Sequence, residues 1–263
     1  MSRTDLLRWN GSTLEPLEYC DPSEYLLEAA DSWLVEDGQT LALGLHRERF
    51  THAIAARGFD TDPDAFWRAA TDSVPNDGAW FPRVELQSRG GAGLFVLRLR
   101  NAPERAQAIT LATHNGPDPR TAPRIKGPDL AAMTRLRGEA KLAGADEAVI
   151  LRDSLVVEGS TTALLWWEGD VLCQPPLALE RIDSVTARAL MGIALALGTS
   201  VEESAATPAD LDGRELWALN ALHGIRIVTG WVDGPSLAAE PGRLHTWRTR
   251  LAALRTTPEG PPA

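Results

Sequence analysis

Residues 144–167 read GADEAVILRDSLVVEGSTTALLWW, and this stretch carries the strongest structural signal in the chain. Apolar runs rich in Val, Ile, Leu and Trp alternate with short groups of turn-forming residues, which predicts strands joined by tight turns. One acidic residue, Glu158, ends the second run and stands directly before a glycine. Glu158 is therefore a candidate functional group, although an ordinary acidic residue before a glycine turn is the alternative interpretation.

The segment before this stretch is predicted to be a helix from Asp129 to Gly144. Four apolar residues fall on one helical face, Met133, Leu136, Ala140 and Ala143, and Gly144 suits the C-terminal cap. The chain therefore passes from a helix into a group of strands.

Only two lysines occur in the chain, Lys126 and Lys141, although Lys and Arg together number 26. A lysine amine can lose its proton and attack a carbonyl, whereas a guanidinium cannot. A lysine that forms a Schiff base is therefore one that arginine cannot replace. This makes Lys126, in the loop RIKGPDL at residues 124–130, a candidate catalytic residue. A lysine left over in an arginine-rich chain is the alternative.

The composition bounds the function before any motif is considered. The 263 residues are 44% hydrophobic and 24% charged, as expected for a globular chain of one large or two small domains. The net charge of −10 argues against general nucleic-acid binding and against anionic membrane surfaces. Because no apolar run is long enough to span a bilayer and no N-terminal signal is visible, we expect a cytoplasmic protein without membrane contact.

The cysteines and histidines predict no metal site, because neither Cys20, Cys173 nor the five histidines show metal-ligand spacing. The cysteines are expected to be buried thiols, and a disulfide between them stays open. The sequence contains no Ser-His-Asp order and no Gly-rich nucleotide loop. The glycines of RGGAG at residues 89–93 are interpreted as a hairpin turn.

Turn-forming residues divide the chain into two predicted domains. Residues 1–100 combine strands, hairpin turns with Asn-Gly and Asp-Gly pairs, and two helices, so we expect a small N-terminal α+β domain. Residues 101–105, NAPER, form the predicted linker. Residues 106–255 are expected to form a larger α/β domain, and residues 256–263 a disordered tail.

Three segments stand in the order found in one enzyme family. Lys126-Gly-Pro-Asp129 precedes the predicted helix, Gly144-Ala-Asp-Glu-Ala148 follows it, and Glu158-Gly-Ser-Thr-Thr162 ends a strand. This order resembles the class IV aminotransferases, pyridoxal-phosphate enzymes of the branched-chain and D-amino acid aminotransferase type, in which K-x-x-N-Y-L, G-x-D-E-A and E-G-S-T-S-N follow one another. The resemblance runs from about residue 8 to residue 235. It implies a D-amino acid aminotransferase-like α/β fold with the cofactor in the cleft between two domains, and usually a homodimer.

Further segments fit the same family. LGLHRERF resembles L-x-x-H-x-x-R-L and places Arg49 at the family's phosphate-binding arginine, with a solvated helix charge as the alternative. QPPLALERIDSVTARAL resembles the stretch ending in P-G-I-T-R and places Ser184, Val185 and Thr186 in the phosphate cup. These residues open a predicted helix capped by Asp183 or Ser184, whose backbone N–H groups suit an anion.

The resemblance also implies the roles of the remaining site residues. Lys126 would hold the cofactor's aldehyde as a Schiff base. Glu158 would keep the pyridine nitrogen protonated, so that the ring can accept electrons. WALNALHGIRIV, residues 217–228, resembles the late segment that places Asn220 and Ala221 beside the cofactor.

Some positions depart from the family pattern. The Asn-Tyr after the lysine is Asp129-Leu130 here, so the tyrosine that often contacts the ring hydroxyl is missing at that place. Ala187-Arg188 stands where the family usually has Arg-Asp, and Ile227 where it has the final proline. These departures concern the substrate more than the cofactor.

Three functions remain open for a small-molecule amine substrate. A 4-amino-4-deoxychorismate lyase eliminates pyruvate and leaves 4-aminobenzoate for folate synthesis. The second function is an amino-acid transaminase of the D-amino acid or branched-chain type, and the third is a relative that binds the cofactor without turnover. Branched-chain enzymes tend to show Glu-Asn where EGSTTALL has none, and lyases more often show Asn before a small residue, as at Asn220-Ala221. We therefore favour the lyase.

Overall fold

The computed structural model describes residues 4–17 and 25–258. The chain divides into two compact units. The first comprises Met1–Glu104, Ile125–Pro128 and Leu254–Ala263, and the second comprises Arg105–Arg124 and Asp129–Ala253. In this division Lys126 belongs to the first unit, although it lies within the part of the chain that the sequence pattern assigns to the larger C-terminal domain.

The first unit is a mixed unit of strands with two helices. Its elements, numbered in chain order, are β1 (Thr4–Trp9), β2 (Leu14–Pro16), β3 (Leu26–Ser32), β4 (Val35–Glu36), β5 (Gln39–Leu41), α1 (Leu43–Ala56), α2 (Asp64–Asp72), β6 (Ala79–Trp80), β7 (Arg83–Arg89), β8 (Ala92–Arg100) and β17 (Arg255–Thr256). The sheet order β2-β1-β8-β7-β3 is antiparallel throughout, and β17-β5-β4-β6 forms a second small sheet.

The core of the first unit is aromatic. Phe66 and Phe95 stack with ring centroids 4.8 Å apart, and Trp33 and Trp67 lie 4.9 Å apart. Phe50 of α1 joins the same fully buried cluster. Aromatic pairs of this kind add stability beyond the area they bury. Helix α1 therefore packs through Phe50 on a rigid core.

The second unit is built on one large sheet. Its elements are β9 (Ala108–Thr113), α3 (Leu130–Leu142), β10 (Glu147–Arg152), β11 (Leu155–Gly159), β12 (Ala163–Glu168), β13 (Val171–Gln174), α4 (Val185–Ala196), β14 (Val201–Glu203), β15 (Glu215–Asn220), β16 (Gly224–Val232) and α5 (Pro241–Ala252), with short 3₁₀ turns at Leu177–Leu179 and Ala209–Leu211. The sheet order is β11-β10-β9-β16-β15-β12-β13-β14.

Strand direction in this sheet is mixed. Strand β9 runs parallel to both β10 and β16, whereas β10 and β11, β12 and β15, and β15 and β16 pair antiparallel. Helix α3 supplies Met133, Leu136 and Ala140 to a core formed with β9 and β10. The predicted helical face is therefore confirmed for these three residues but wrong for Ala143, which is exposed because the helix ends at Leu142. The α/β class of the fold is confirmed.

Local predictions for turns are confirmed in the first unit. Asp37 and Gly38, between β4 and β5, both have positive φ, as a two-residue hairpin turn requires. Gly90 and Gly91 connect β7 to β8 in the same way. The predicted hairpin in RGGAG is therefore present.

Arg255–Thr256 pairs with β5, so regular structure extends to the first residue of the predicted disordered tail. Residues 259–263 and Cys20 lie outside the described residues, and Cys173 is a buried free thiol.

Within residues 4–17 and 25–258 there is no helix long and apolar enough to cross a membrane. The same residues contain no group of three His, Cys, Asp or Glu side chains that could hold a metal ion.

Candidate functional site

The loop that carries Lys126 is fixed to strand β3 through its backbone. The Lys126 carbonyl accepts a hydrogen bond of 2.7 Å from the Ala30 N–H. The next residue, Gly127, has a φ of +135°, and a Cβ there would lie 2.8 Å from the Ala30 nitrogen. On the other side of the lysine in sequence, Ile125 packs against the core of the first unit. The backbone of Lys126 is therefore held on both sides.

A buried carboxylate lies one residue further along the same strand. Asp31 is fully buried and accepts hydrogen bonds from Arg49 Nε at 2.7 Å and Arg49 Nη2 at 2.8 Å. His46 Nδ1 lies 2.7 Å from the same carboxylate. Because the Arg49 side chain is only 15% exposed, the interpretation of Arg49 as a solvated helix charge is wrong.

Burial and neighbouring groups determine the protonation states of Asp31 and His46. Burial alone would raise the pKa of Asp31, but the charge of Arg49 and the hydrogen bonds from Arg49 and His46 hold it well below its usual range. Burial lowers the pKa of His46, and the positive charges of Arg49 and Lys126 act in the same direction. His46 is therefore neutral at pH 7. Because an ionised carboxylate can only accept, the His46 proton lies on Nδ1.

Glu158 lies buried near the end of β11, between a guanidinium and a backbone N–H. Arg120 Nη1 donates to one of its oxygens, and the Ile182 N–H lies 3.2–3.3 Å from both. The Arg120 side chain is only 3% exposed and donates through Nε and Nη2 to Asp118, at 2.9 and 2.7 Å. One guanidinium therefore connects two carboxylates.

The loop before Lys126 is organised around Arg120. Burial lowers the pKa of Arg120, but the hydrogen bond to Asp118 and the charges of Glu158, Asp118 and Asp129 outweigh it, so the pKa is raised. The Asp129 carboxylate accepts hydrogen bonds from the N–H groups of Thr121 and Ala122, at 2.8 and 2.9 Å. Asp129, where the family pattern has Asn, therefore fastens the residues that follow Arg120.

Helix α4 begins beside Glu158. Ser184, not Asp183, is its N-cap, and the Ser184 hydroxyl accepts from the Ala187 N–H at 3.3 Å. Val185 and Thr186 are buried in the first turn. The Ile182 N–H that bonds Glu158 lies just before this helix. The predicted phosphate-cup residues and Glu158 therefore belong to one neighbourhood.

The turn after Glu158 is held by a second buried carboxylate. Glu147 accepts hydrogen bonds from the Ser160 hydroxyl and from the Thr161 N–H. A Cβ on Gly159 would lie 3.0 Å from Glu147 Cγ and closer still to the Thr162 hydroxyl. The segments GADEA and EGSTT are therefore connected in the structure, because Glu147 of the first accepts hydrogen bonds from the turn of the second.

Asn220 connects this turn to the β15–β16 hairpin. Its amide nitrogen donates to the Thr161 carbonyl at 3.3 Å, and its carbonyl accepts from the His223 N–H at 2.9 Å. Ala221 follows in the hairpin loop and is half-buried. Asn220 therefore bonds protein groups through both ends of its amide.

The predicted site residues thus form two groups. Lys126 and Arg49 lie in the first unit, both connected to β3, while Glu158, Ser184, Val185, Thr186, Asn220 and Ala221 lie in the second. Lys141, the other lysine, is exposed near the end of α3. Sequence reasoning missed Asp31, Arg120 and Glu147. Of these, only Glu147 had a sequence signal, its place in GADEA.

Chemically, the second group combines a buried carboxyl group, bonded to an arginine, with the N–H groups of a helix start. Such a set suits a cationic ring nitrogen at one end and an anion at the other. The first group supplies a lysine amine and a part-buried arginine that is paired with Asp31.

Comparison with protein families gives one match that covers most of the chain. The model described as amino-transferase class IV matches residues 28–231. No curated protein matches the chain.

Solved structures match along nearly the whole chain. A hypothetical aminotransferase from Mycobacterium tuberculosis in its PLP-bound form has a TM-score of 0.80 at 18% identity, covering 96% of this chain and 98% of the other. A branched-chain aminotransferase from Thermoproteus uzoniensis has a TM-score of 0.81 at 16% identity, covering 95% and 96%. A putative 4-amino-4-deoxychorismate lyase from Legionella pneumophila has a TM-score of 0.76 at 18% identity, covering 89% and 97%. At these identities the likeness establishes the fold.

Proposed function

We propose that this chain, which belongs to the class IV aminotransferase family and is a pyridoxal-phosphate-dependent enzyme, acts mainly as a 4-amino-4-deoxychorismate lyase. The cofactor follows from the family. The assignment of residues to it and the choice of reaction are the proposal.

The residues present fit pyridoxal phosphate. When bound, this cofactor supplies an electron-accepting ring that stabilises negative charge at the substrate Cα. Glu158 is the observation that carries the fit, because a carboxylate buried beside Arg120 is of the type needed opposite a protonated ring nitrogen. The start of α4, with Ser184, Val185 and Thr186, offers N–H groups of the kind that bind phosphate.

Lys126 has two tasks in this proposal. Its amine holds the cofactor covalently, and after the substrate amine takes its place, the freed amine moves the proton at Cα. The anchored backbone of Lys126 restricts where that amine can reach. Both tasks depend on proximity, which is why the fixed position matters.

Arg49 is proposed to bind the phosphate of the cofactor. Asp31 engages its Nε and Nη2 atoms and so fixes the plane of the guanidinium. A guanidinium fixed in this way binds an anion at little entropic cost. Asp31 and His46 therefore act as positioning residues for Arg49.

The choice of elimination rests on Asn220. Its amide bridges the Thr161 carbonyl and the His223 N–H. A serine or threonine, which transaminases often carry at this place, offers a single hydroxyl and no separate amide donor and acceptor for these two groups. We therefore assign Asn220 a positioning role, in which it sets the turn after Glu158 for a substrate that loses a leaving group. A homodimer in the cytoplasm and a place in folate synthesis belong to the same proposal.

Amino transfer is the second candidate, because the family is described as aminotransferases and a neighbour from Mycobacterium tuberculosis is described as bound to alpha-ketoglutarate and PMP. Both reactions begin with loss of the Cα proton. A lyase returns the cofactor as the aldehyde, whereas a transaminase leaves it as the amine.

The experiment uses two tubes of the cofactor-loaded protein. One receives aminodeoxychorismate, and the other receives L- and D-amino acids without a keto acid. Pyruvate and 4-aminobenzoate in the first tube, with an unchanged aldehyde spectrum, would support the lyase. Conversion to the amine form in the second tube, with no aminobenzoate in the first, would replace the proposal with transamination. No change in either tube would contradict both activities for these substrates.

A further inference from the structure

Burial of Glu158 creates an electrostatic problem at the proposed cofactor site. A carboxylate removed from water tends to take up a proton, unless a cation or hydrogen-bond donors favour its charged form. A protonated Glu158 would no longer offer a negative charge to a ring nitrogen. Some group of the chain must therefore hold it ionised.

Arg120, Arg181 and the Ile182 N–H are among the groups that act on Glu158. Arg181 acts on Glu158 through its charge, but its Nε donates to the Pro175 carbonyl at 2.7 Å. The Ile182 N–H is a neutral donor at 3.2–3.3 Å. Arg120, by contrast, is a cation that bonds the Glu158 carboxylate directly, and its side chain is almost fully buried.

The direction of the Arg120 guanidinium is set independently of Glu158. Asp118 binds Nε and Nη2 in a bidentate pair, which leaves Nη1 directed at Glu158. Asp129 holds the adjoining residues Thr121 and Ala122 through their N–H groups. Arg120 therefore has a fixed orientation on a fastened loop.

We propose that Arg120 is the positioning residue that keeps Glu158 ionised and directed toward the cofactor's ring nitrogen. The inference rests on the role proposed above for Glu158. A proton shared between Glu158 and the ring nitrogen can reside on either group. Because Arg120 is bonded to the carboxylate, it stabilises the state in which the carboxylate is charged and the ring nitrogen is protonated. Removal of Arg120 returns the proton to Glu158.

The test follows the absorption spectrum and the dissociation constant of the bound cofactor in Arg120→Met, Arg120→Lys, Glu158→Gln and the Arg120→Met, Glu158→Gln double variant. We expect Arg120→Met to move the spectrum toward that of Glu158→Gln and to lower turnover on the order of 10-fold, as loss of a charged hydrogen bond would. Arg120→Met should have no further spectral effect in the Glu158→Gln background. Arg120→Lys keeps the charge without the bidentate fork and should restore most of the spectrum.

Arg124→Met is the matched control, because Arg124 lies in the same loop, is 64% exposed and is 3.9 Å from Glu180. It should leave the spectrum unchanged. An equal effect of Arg120→Met with and without Glu158 would show a merely structural role and overturn the inference. So would a native spectrum in Arg120→Met. A native spectrum in Glu158→Gln would instead refute the role of Glu158 itself. If Arg120→Met does not fold, Arg120→Gln supplies the neutral variant for the same comparison with Arg120→Lys.

Discussion

Lys126 and Glu158, the two groups assigned to opposite ends of the cofactor's chemistry, are held by different physical means. Lys126 is positioned by a backbone hydrogen bond to Ala30 and by a glycine that leaves no room for a side chain. Glu158 is positioned by charge, through Arg120. The lysine should therefore be sensitive to added volume and insensitive to charge, and the glutamate should behave in the opposite way.

The largest effect is expected from removing the charge of Glu158. Glu158→Gln keeps the shape but cannot be negative, so turnover should fall on the order of 10² to 10³, as for other preorganised electrostatic groups. Steady-state kinetics on cofactor-saturated protein would measure this. Glu202→Gln, at an exposed glutamate of the same unit, should be unaffected. A near-native rate for Glu158→Gln would show that turnover does not depend on the negative charge of Glu158.

The close packing that positions the Lys126 loop is tested by adding one methyl group at Gly127. Gly127→Ala adds a Cβ 2.8 Å from the Ala30 nitrogen at a φ of +135°. Strain and overlap should lower the free energy of unfolding by about 2–3 kcal/mol, measured by urea denaturation. Gly138→Ala, inside α3 with no atom within 4 Å of its Cβ position, should instead gain roughly 0.5–1 kcal/mol. Similar small changes in both variants would mean that close packing does not hold the Lys126 loop.

Arg49 is expected to show a smaller, cofactor-linked effect. Arg49→Ala should weaken cofactor binding by about 1–3 kcal/mol, because it removes a charged hydrogen bond to the phosphate. Equilibrium dialysis against pyridoxal phosphate would measure it. Arg47→Ala on the same helix breaks an exposed ion pair with Asp64 and should leave the affinity near its native value. An unchanged affinity in Arg49→Ala would show that Arg49 forms its ion pair with Asp31 but does not bind the phosphate.

The last prediction concerns the pH dependence of stability and belongs to the second unit. Burial, followed by the charges of Arg226, Arg137 and Arg105, lowers the pKa of His223 to about 4. Between the ordinary value near 6.5 and this value the unfolded chain binds more protons, so stability is fully present above about pH 6.5 and declines as pH falls toward 4. His223→Gln should flatten that decline in urea titrations.

The control for this pH effect is His245→Gln, at an exposed position on α5. It should keep the native slope of stability against pH. A slope in His223→Gln as steep as the native one would show that other groups govern the acid side.

Much of the fold and part of the site could be predicted from local pattern. Apolar periodicity located α3, the Asp37-Gly38 turn is written in two adjacent residues, and the order of Lys126, GADEA and EGSTT indicated the family. These signals are local, so a single sequence can carry them.

The partners of the site residues could not be predicted in this way. Arg120 meets Glu158 across 38 residues, and Asp31 meets Arg49 across 18. In an arginine-rich chain, no local feature distinguishes Arg120 from a solvated arginine. The segment LGLHRERF indicated Arg49 but not its partner Asp31. Asn220 gives the reverse lesson, because a residue assigned to the cofactor from its segment bonds Thr161 and His223 with its own amide.

The central claim is that Lys126 holds the cofactor, and covalent trapping tests it most directly. Borohydride reduction of the pyridoxal-phosphate-loaded protein, followed by peptide mapping, would locate the attachment. The account predicts label on the peptide that contains Lys126 and none on Lys141. Label on Lys141, or on neither lysine of the loaded protein, would contradict it.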